Sequence, residues 1–354
     1  MSEFFSKKYA SLEPYTPGEQ PRDMQYIKLN TNESPFPPSE KASRYAYEEA
    51  KKLNLYSDPE SKVLTEKMAA YYGLEANQVL MTNGSDEILN FAFMAFCDDE
   101  HPAAFANITY GFYPVFAEID KVPYVEIPLN EDFTINVDDY IGINKTIFIA
   151  NPNAPTSIAL PISEIRRIIE SNPNNIVVID EAYVDFGAES CVPLVNEYKN
   201  LLVTQTFSKS RSLAGGRLGM GFACKELIQD LNTIKYSTNP YNVNRMTGAA
   251  GIGALEDDEY TKANIKTIME NRAWTMEELK KLGFTMPDSM TNFIFAKHEK
   301  IDGGEIYQKL REKGILVRHF TKPLICQYNR ITVGTKEQME ALINALREIT
   351  EVSL

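Results

Sequence analysis

The chain has 354 residues, 44% of them hydrophobic, enough to bury a full core as one large domain or two unequal ones. Its 36 basic residues against 49 acidic ones leave a formal net charge of -13, which argues against a nucleic acid as partner, because such binders present basic faces. Any anionic ligand must therefore be held by local donors.

From the N-terminus, residues 1–8 lack the apolar stretch and small-residue cleavage site of a secretory signal, so a soluble, cytoplasmic protein is expected. Residues 14–38 are Pro-rich and read as an irregular arm over the surface. Asp58-Pro59 opens an amphipathic stretch ending at Gly73, the pattern of a helix with Pro in its first turn and Gly just past its last. Residues 78–81 form a short strand, followed by the turn Asn83-Gly84-Ser85-Asp86-Glu87 and an apolar helix to about Cys97. That helix is the most apolar window of the chain, yet it contains Asn90 and stops at Asp98-Asp99-Glu100, too short to cross a bilayer.

Strands follow at residues 146–150, 176–179 and 201–206, with a helix at about 163–170 between the first two. These strands are uninterrupted apolar runs, as a parallel sheet covered on both faces requires. After Asn242 the texture changes to a helical segment ending near Leu255 and a long charged one over 257–282. Shorter strands at 293–295, 315–317 and 330–333, with helices near 305–312 and 336–350, suggest a smaller α+β unit. The expected division is an arm over residues 1–29 joining the small domain, a large domain over 30–243 and a small C-terminal domain over 244–354.

The cysteines Cys97, Cys191, Cys224 and Cys326 are widely spaced with no Cys-x-x-Cys pair, and His101, His298 and His319 are the only histidines, so neither a zinc site nor a disulfide framework is supported. Isolated thiols of this kind behave as small buried hydrophobes and suit a reducing cytosol.

Chemistry concentrates after two of the apolar runs. Residues 176–179 lead into Asp180-Glu181-Ala182-Tyr183; residues 201–203 lead through Thr206 and Ser208 to Lys209 and then Arg217. A carboxylate at the carboxyl end of a buried parallel strand faces the crevice where open α/β sheets bind ligands. Alone, Asp-Glu after an apolar run is a helix cap, and a lysine among serines is a solvated loop. Together they supply what pyridoxal 5'-phosphate needs: an amine for its Schiff base, an acid for its ring nitrogen, and cation and hydroxyl donors for its phosphate. Magnesium-assisted nucleotide hydrolysis by Asp180-Glu181 would need a Gly-x-x-x-x-Gly-Lys-Ser/Thr loop that is missing, and Gly216, Gly219 and Gly221 do not match the dinucleotide fingerprint. Gly84-Ser85-Asp86 opens a helix after a strand, where free N–H groups and the dipole suit a phosphate, and Tyr110 could stack on a pyridine ring.

These pieces, with Asn30-Thr31-Asn32-Glu33-Ser34-Pro35, Pro240-Tyr241-Asn242-Val243, Thr291-Asn292-Phe293 and Arg330-Ile331-Thr332-Val333-Gly334, make the chain resemble the class I/II aminotransferase superfamily over nearly its whole length. The resemblance implies fold type I: a large domain with a mostly parallel seven-stranded sheet covered by helices, and a smaller α+β domain. It places the Schiff base on Lys209, Asp180 on the pyridine nitrogen, Tyr183 on the ring O3', Tyr110 on the ring face, and Gly84, Ser85, Asp86, Thr206, Ser208 and Arg217 about the phosphate. Tyr56 would reach that phosphate from the second subunit of a homodimer. Tyr15, Asn32, Arg318 and Arg330 match positions that hold the substrate, and arginine's planar fork can bind phosphate or carboxylate bidentately. Within the superfamily the likeness is to members acting on L-histidinol phosphate and 2-oxoglutarate, giving imidazole-acetol phosphate and L-glutamate.

Three departures accompany it. The family's Asn-Asn-Pro-Thr-Gly stands here as Asn153-Ala154-Pro155-Thr156-Ser157, which makes Asn153 the candidate to replace the asparagine missing at 154. Gly216 stands where leucine often precedes the arginine, and Ser57 where proline follows the intersubunit tyrosine. The competing readings are a threonine-phosphate decarboxylase, a broad-range or aromatic aminotransferase, and a cofactor-sensing regulator that keeps the fold as a binding module.

Overall fold

The computed structural model describes residues 2–353. The N-terminal arm ends in a two-residue strand, β1 (Ile27–Lys28), and is followed by helices α1 (Glu40–Ala50) and α2 (Lys62–Tyr72). Then come β2 (Val79–Thr82), α3 (Ser85–Phe96), β3 (Ala103–Ala106), α4 (Tyr113–Asp120), β4 (Tyr124–Ile127), β5 (Thr146–Ala150), α5 (Ile162–Ser171), β6 (Val177–Asp180), β7 (Leu201–Thr206) and β8 (Gly219–Ala223). These strands form one seven-stranded sheet in the order β2-β8-β7-β6-β5-β3-β4. It is parallel except for β8, which runs antiparallel to both β2 and β7. Only the edge strand β4 is not fully buried.

Alternate residues of the central strands enter two different cores. Ile147, Ile149, Val177, Ile179, Leu201 and Val203 pack with Met68 of α2 and Ile165, Ile168 and Ile169 of α5. Phe148, Val178 and Leu202 pack on the opposite face with Ile88 and Leu89 of α3 and Phe116 of α4. This two-residue period decides which side of the sheet every strand-end group will face.

The remainder comprises α6 (Lys225–Thr238), α7 (Arg245–Glu256), α8 (Asp258–Lys281), β9 (Phe284–Thr285), β10 (Phe293–His298), α9 (Gly303–Glu312), β11 (Ile315–Leu316), β12 (Arg318–His319), β13 (Asn329–Thr332) and α10 (Lys336–Ser353). Strands β12-β13-β10-β9 form an antiparallel sheet. A third core of residues from α8, α9, α10 and these strands, Leu279, Ile294, Leu310, Ile331 and Leu346 among them, lies against it.

Several expectations are revised. The helix expected from Asp58 begins at Lys62; the Asp58 carboxylate instead accepts from the backbone N–H groups of Glu60 and Lys62, capping the turn ahead of the helix. Gly73 does end it in the left-handed conformation, φ 68°. The single strand expected over 315–317 divides into β11, which pairs with β1, and β12, which pairs with β13. The Pro-rich arm is irregular apart from β1, but it does not stay on the surface. β1 adds to β11 in parallel, Leu29 bonds to Leu316 and Thr332, and Leu29, Asn30 and Asn32 are buried. The arm therefore delivers its last residues to the interior.

Strand β8 was masked in sequence by its glycines, which weaken strand propensity but are required here by packing. A Cβ on Gly219 would lie 2.4 Å from the backbone of Gly84 and Ser85, and one on Gly221 would lie 1.9 Å from Ile88. The bare backbone of β8 is what lets the start of α3 settle onto the sheet.

Candidate active site

The carboxyl ends of β5, β6 and β7 and the start of α3 enclose a cavity of about 110 Å³. Its walls are Ser85, Asp86, Tyr110, Ala150, Pro152, Ala154, Asp180, Ala182, Tyr183, Thr206, Ser208, Lys209 and Arg217. Sequence positions 85 to 217 thus converge because parallel strands present all their carboxyl ends along one edge.

One end of the cavity is acidic. Asp180 is buried, and its Oδ1 accepts from the Ala182 N–H at 3.2 Å and the Thr204 hydroxyl at 3.3 Å. Its Oδ2 accepts from the Tyr113 hydroxyl at 3.1 Å. Burial pushes the Asp180 carboxyl up to about 6; the Tyr113, Ala182 and Thr204 donors act against that rise, while the charge of Asp86 adds to it. Burial also raises the Tyr113 phenol well above its ordinary range, so it remains a donor.

The other end holds an ion pair and two hydroxyls. Arg217, at φ 54°, places Nη2 2.8 Å from Asp86 Oδ2, and the Tyr110 hydroxyl donates to Asp86 Oδ1 at 2.6 Å. Gly84 does not line the cavity but is the N-cap of α3, at φ 78°; a Cβ there would lie 2.6 Å from Arg217 Nη2. Ser208 and Thr206 sit hydroxyl to hydroxyl at 3.0 Å. Lys209 Nζ donates to the Thr31 carbonyl at 3.4 Å and stands 5.7 Å from the Tyr183 ring centre. The Tyr183 hydroxyl accepts from Asn32 Nδ2 at 2.9 Å.

Tyr110, Ala154, Tyr183 and Lys209 also line a larger cleft of about 1040 Å³, together with Tyr15, Asn32, Arg318 and Arg330. Arg330 donates Nη2 to the Asn30 carbonyl at 3.0 Å and lies 5.4 Å from the Phe293 ring centre; its buried Nε has no hydrogen-bond partner among the described residues. Arg318 donates to the carbonyls of Thr16 and Pro17 at 3.1 and 3.2 Å, and Tyr15 stacks on Phe112 at 4.3 Å.

Two expected residues are not in this group. The Asn153 amide is fully engaged, accepting from Thr109 and donating to the Ile108 carbonyl and Thr156, and it lines neither cavity; Ala154 does. In the turn that follows β5, Ala154 therefore faces the cavity while the Asn153 side chain is taken up by Thr109, Ile108 and Thr156. Tyr56 is 78% exposed, stacks on Tyr241 at 4.6 Å and lies outside both cavities. Conversely, Tyr113, Thr204 and Thr31 touch the central groups without having been anticipated. Thr204 was legible, since it shares a strand face with Thr206; Tyr113 was not, because its contact spans 67 residues.

A doubly wound sheet with a lysine, a buried carboxylate and a phosphate-type donor set at its strand ends defines an enzyme that works through a bound aldehyde cofactor. The chain belongs to the class I and II aminotransferase family, whose model matches residues 24–346 and whose members depend on pyridoxal 5'-phosphate. It is 48% identical to the histidinol-phosphate aminotransferase of Brachyspira hyodysenteriae, with 99% of each chain covered. It is 47% identical to that of Acinetobacter baumannii, over 98% of this chain and 97% of the other. In fold it resembles the histidinol-phosphate aminotransferase of Sinorhizobium meliloti in complex with pyridoxal-5'-phosphate, with a TM-score of 0.86 over 93% of this chain and 92% of that one, at 22% identity.

The residues present fit that cofactor. A primary amine lines the same cavity as a buried carboxylate, matched to a protonated ring nitrogen, and as Arg217 with its Asp86 partner, two hydroxyls and a helix start, matched to a phosphate. Ala154 and Ala182, with Tyr110, leave flat apolar walls for a ring. Among the described residues no cluster could hold a metal ion, and no helix is long and apolar enough to cross a membrane.

Proposed function

We propose that the protein transfers the amino group of L-glutamate to imidazole-acetol phosphate, giving 2-oxoglutarate and L-histidinol phosphate, a step of histidine biosynthesis. The observation that carries this reading is the joining of the Lys209 cavity to a cleft presenting two arginines, in a chain nearly half identical over its full length to enzymes named for that substrate. Bound pyridoxal 5'-phosphate supplies an electron sink for the carbanion formed at the substrate's amino-bearing carbon. Lys209 would tether the cofactor's aldehyde and, once displaced by the substrate amine, remove the proton from that carbon. Asp180 would hold the proton on the ring nitrogen, and Tyr183, whose hydroxyl accepts from Asn32, would bond the ring O3'.

Ser85, Asp86, Thr206, Ser208 and Arg217 would surround the cofactor phosphate, with Gly84 shaping the helix start and Tyr110 covering the ring. Arg318 and Arg330 would grip the anionic end of either substrate, aided by Tyr15. Arg330 is the stronger candidate for a direct ion pair, since its Nε is buried without a partner. Tyr56, exposed here, would complete the phosphate site of a second copy in a homodimer, and Tyr47, Leu53 and Leu55, also exposed, would be covered in that assembly. We assign residues 1–29 to an arm on the small domain, 30–243 to the cofactor-binding domain and 244–354 to the small domain. The free cysteines are in keeping with a cytoplasmic protein.

The test is a single half-reaction. Mixing the loaded enzyme with L-histidinol phosphate should convert the cofactor's aldehyde absorbance to that of its amine form, with faster conversion than phenylalanine gives. Release of carbon dioxide from threonine phosphate instead would establish the decarboxylase. Lys209→Ala should lose turnover, and borohydride should no longer fix cofactor to the peptide containing position 209; a normally coloured, active variant would refute the assignment.

A further inference from the structure

We propose that Tyr113 is a positioning residue of this site: its hydroxyl orients the Asp180 carboxylate and holds it as the anion that meets the cofactor's ring nitrogen. The proposal rests on the reading of Asp180 given above and adds to it a group outside the cavity wall.

A carboxylate oxygen has two lone pairs. Oδ1 of Asp180 already takes two donors, from Ala182 and Thr204, so its capacity is filled. Oδ2 takes only Tyr113, which leaves the remaining acceptor position of the carboxylate on the oxygen that Tyr113 holds. A ring N–H arriving in the cavity would share that oxygen with the phenol. The phenol can neither swing away nor exchange with water. Its ring is fully buried between Phe105, Tyr110 and Phe148, with ring centres 5.6 to 5.8 Å away.

The charge environment explains why such a donor is needed. Asp180 faces Tyr113 from α4 and Thr204 from β7, while Asp86 at the start of α3 opposes its ionisation through space. Lys209, Arg217, Tyr110 and Tyr183 line the same cavity; Arg217 is committed to Asp86 and Lys209 to the Thr31 carbonyl. No cation is bonded to Asp180 among the described residues, so neutral donors alone balance the desolvation of its charge. Of these, Tyr113 gives the shortest bond and the only one to Oδ2, and Tyr113→Phe removes it by the loss of one oxygen atom.

The experiment compares Tyr113→Phe with wild type by two readouts besides turnover. In the full-length enzyme freed of cofactor, the Asp180 carboxyl is titrated by infrared or NMR with ¹³C-aspartate, Asp180→Asn identifying the signal. Its midpoint should rise by about one unit or more in Tyr113→Phe, the effect of losing a hydrogen bond to a charged group. In the holoenzyme carrying ¹⁵N-labelled cofactor, the pyridine nitrogen should lose its proton at lower pH, and kcat should fall about tenfold to a hundredfold with KM little changed. If Tyr113→Phe does not fold, 3-fluorotyrosine at 113, a stronger donor, should move the Asp180 midpoint down. A variant that melts earlier but leaves both titrations at wild-type values, or a fluorinated residue without effect, would overturn the proposal. Its failure is distinct from that of the parent reading: the cofactor-free titration reads the Tyr113–Asp180 coupling alone, and wild-type turnover in Asp180→Asn would remove only the ring-nitrogen role.

Discussion

Asp180 and Glu181 are neighbours at the end of β6, both carboxylates, both buried, yet the pleat sends them to opposite faces of the sheet. Asp180 lines the small cavity beside Lys209. Glu181 lines neither cavity and is enclosed by protein donors: the Ser190 hydroxyl at 2.6 Å, the Cys191 N–H, and Gln205 Nε2 at 2.9 Å. Strand β7 repeats the division, with Thr204 serving Asp180 and Gln205 serving Glu181 while Tyr72 donates to Gln205 at 2.6 Å. Burial raises both acids, to about 6 and about 7. A displaced titration is thus no marker of chemistry by itself; each acid takes three protein donors, and what separates the two is that Asp180 opens on a cavity and Glu181 does not.

The largest effect should come from Asp180→Asn. Loss of the fixed negative charge should lower kcat by about three orders of magnitude, roughly 4 kcal/mol, with little change in melting temperature; wild-type turnover would erase the distinction between the two acids. Glu181→Gln should do the reverse, leaving kcat within a few-fold while changing stability. The sign follows from its raised carboxyl: the folded state holds a proton to about pH 7 that the unfolded chain releases near 4.5, so wild-type stability declines as pH rises between those values and levels off above. Gln lacks this term. The stability of wild type relative to the variant should therefore fall by a few kcal/mol from pH 4.5 to 7, measured by denaturant unfolding at each pH. The smallest effect should come from Thr204→Val, which removes the longest of the Asp180 bonds and should cost turnover about threefold to tenfold, as rate assays across pH would register.

The sheet was largely legible because strands buried on both faces are continuous apolar runs, and β5, β6 and β7 are of that kind. β3, built of Ala-Ala-Phe-Ala, and β8, with two glycines, carry too little side chain to announce themselves, although both are fully buried. In the site, residues next to a strand end or a helix start could be read from their positions: Asp180, Lys209, Ser85 and Arg217 meet in one cavity. What escaped were partners supplied from other elements. Tyr113 reaches Asp180 from α4, and Thr31 arrives from an arm that looked superficial until its pairing with β11 drew it inward. Asn153 illustrates the converse, since neighbourhood in sequence suggested a place in the cavity, whereas its side chain bonds to Thr109, Ile108 and Thr156 instead.

Gly219 lines neither cavity, yet the start of α3, proposed above to receive the phosphate, leans on it. What matters at that position is a hydrogen where every other amino acid carries carbon: any bulk there would prise the first turn of α3 off its seat and pull the waiting N–H groups out of reach. A survey of inactivating changes would thus flag this spot beside the reactive groups, although its contribution is purely one of clearance.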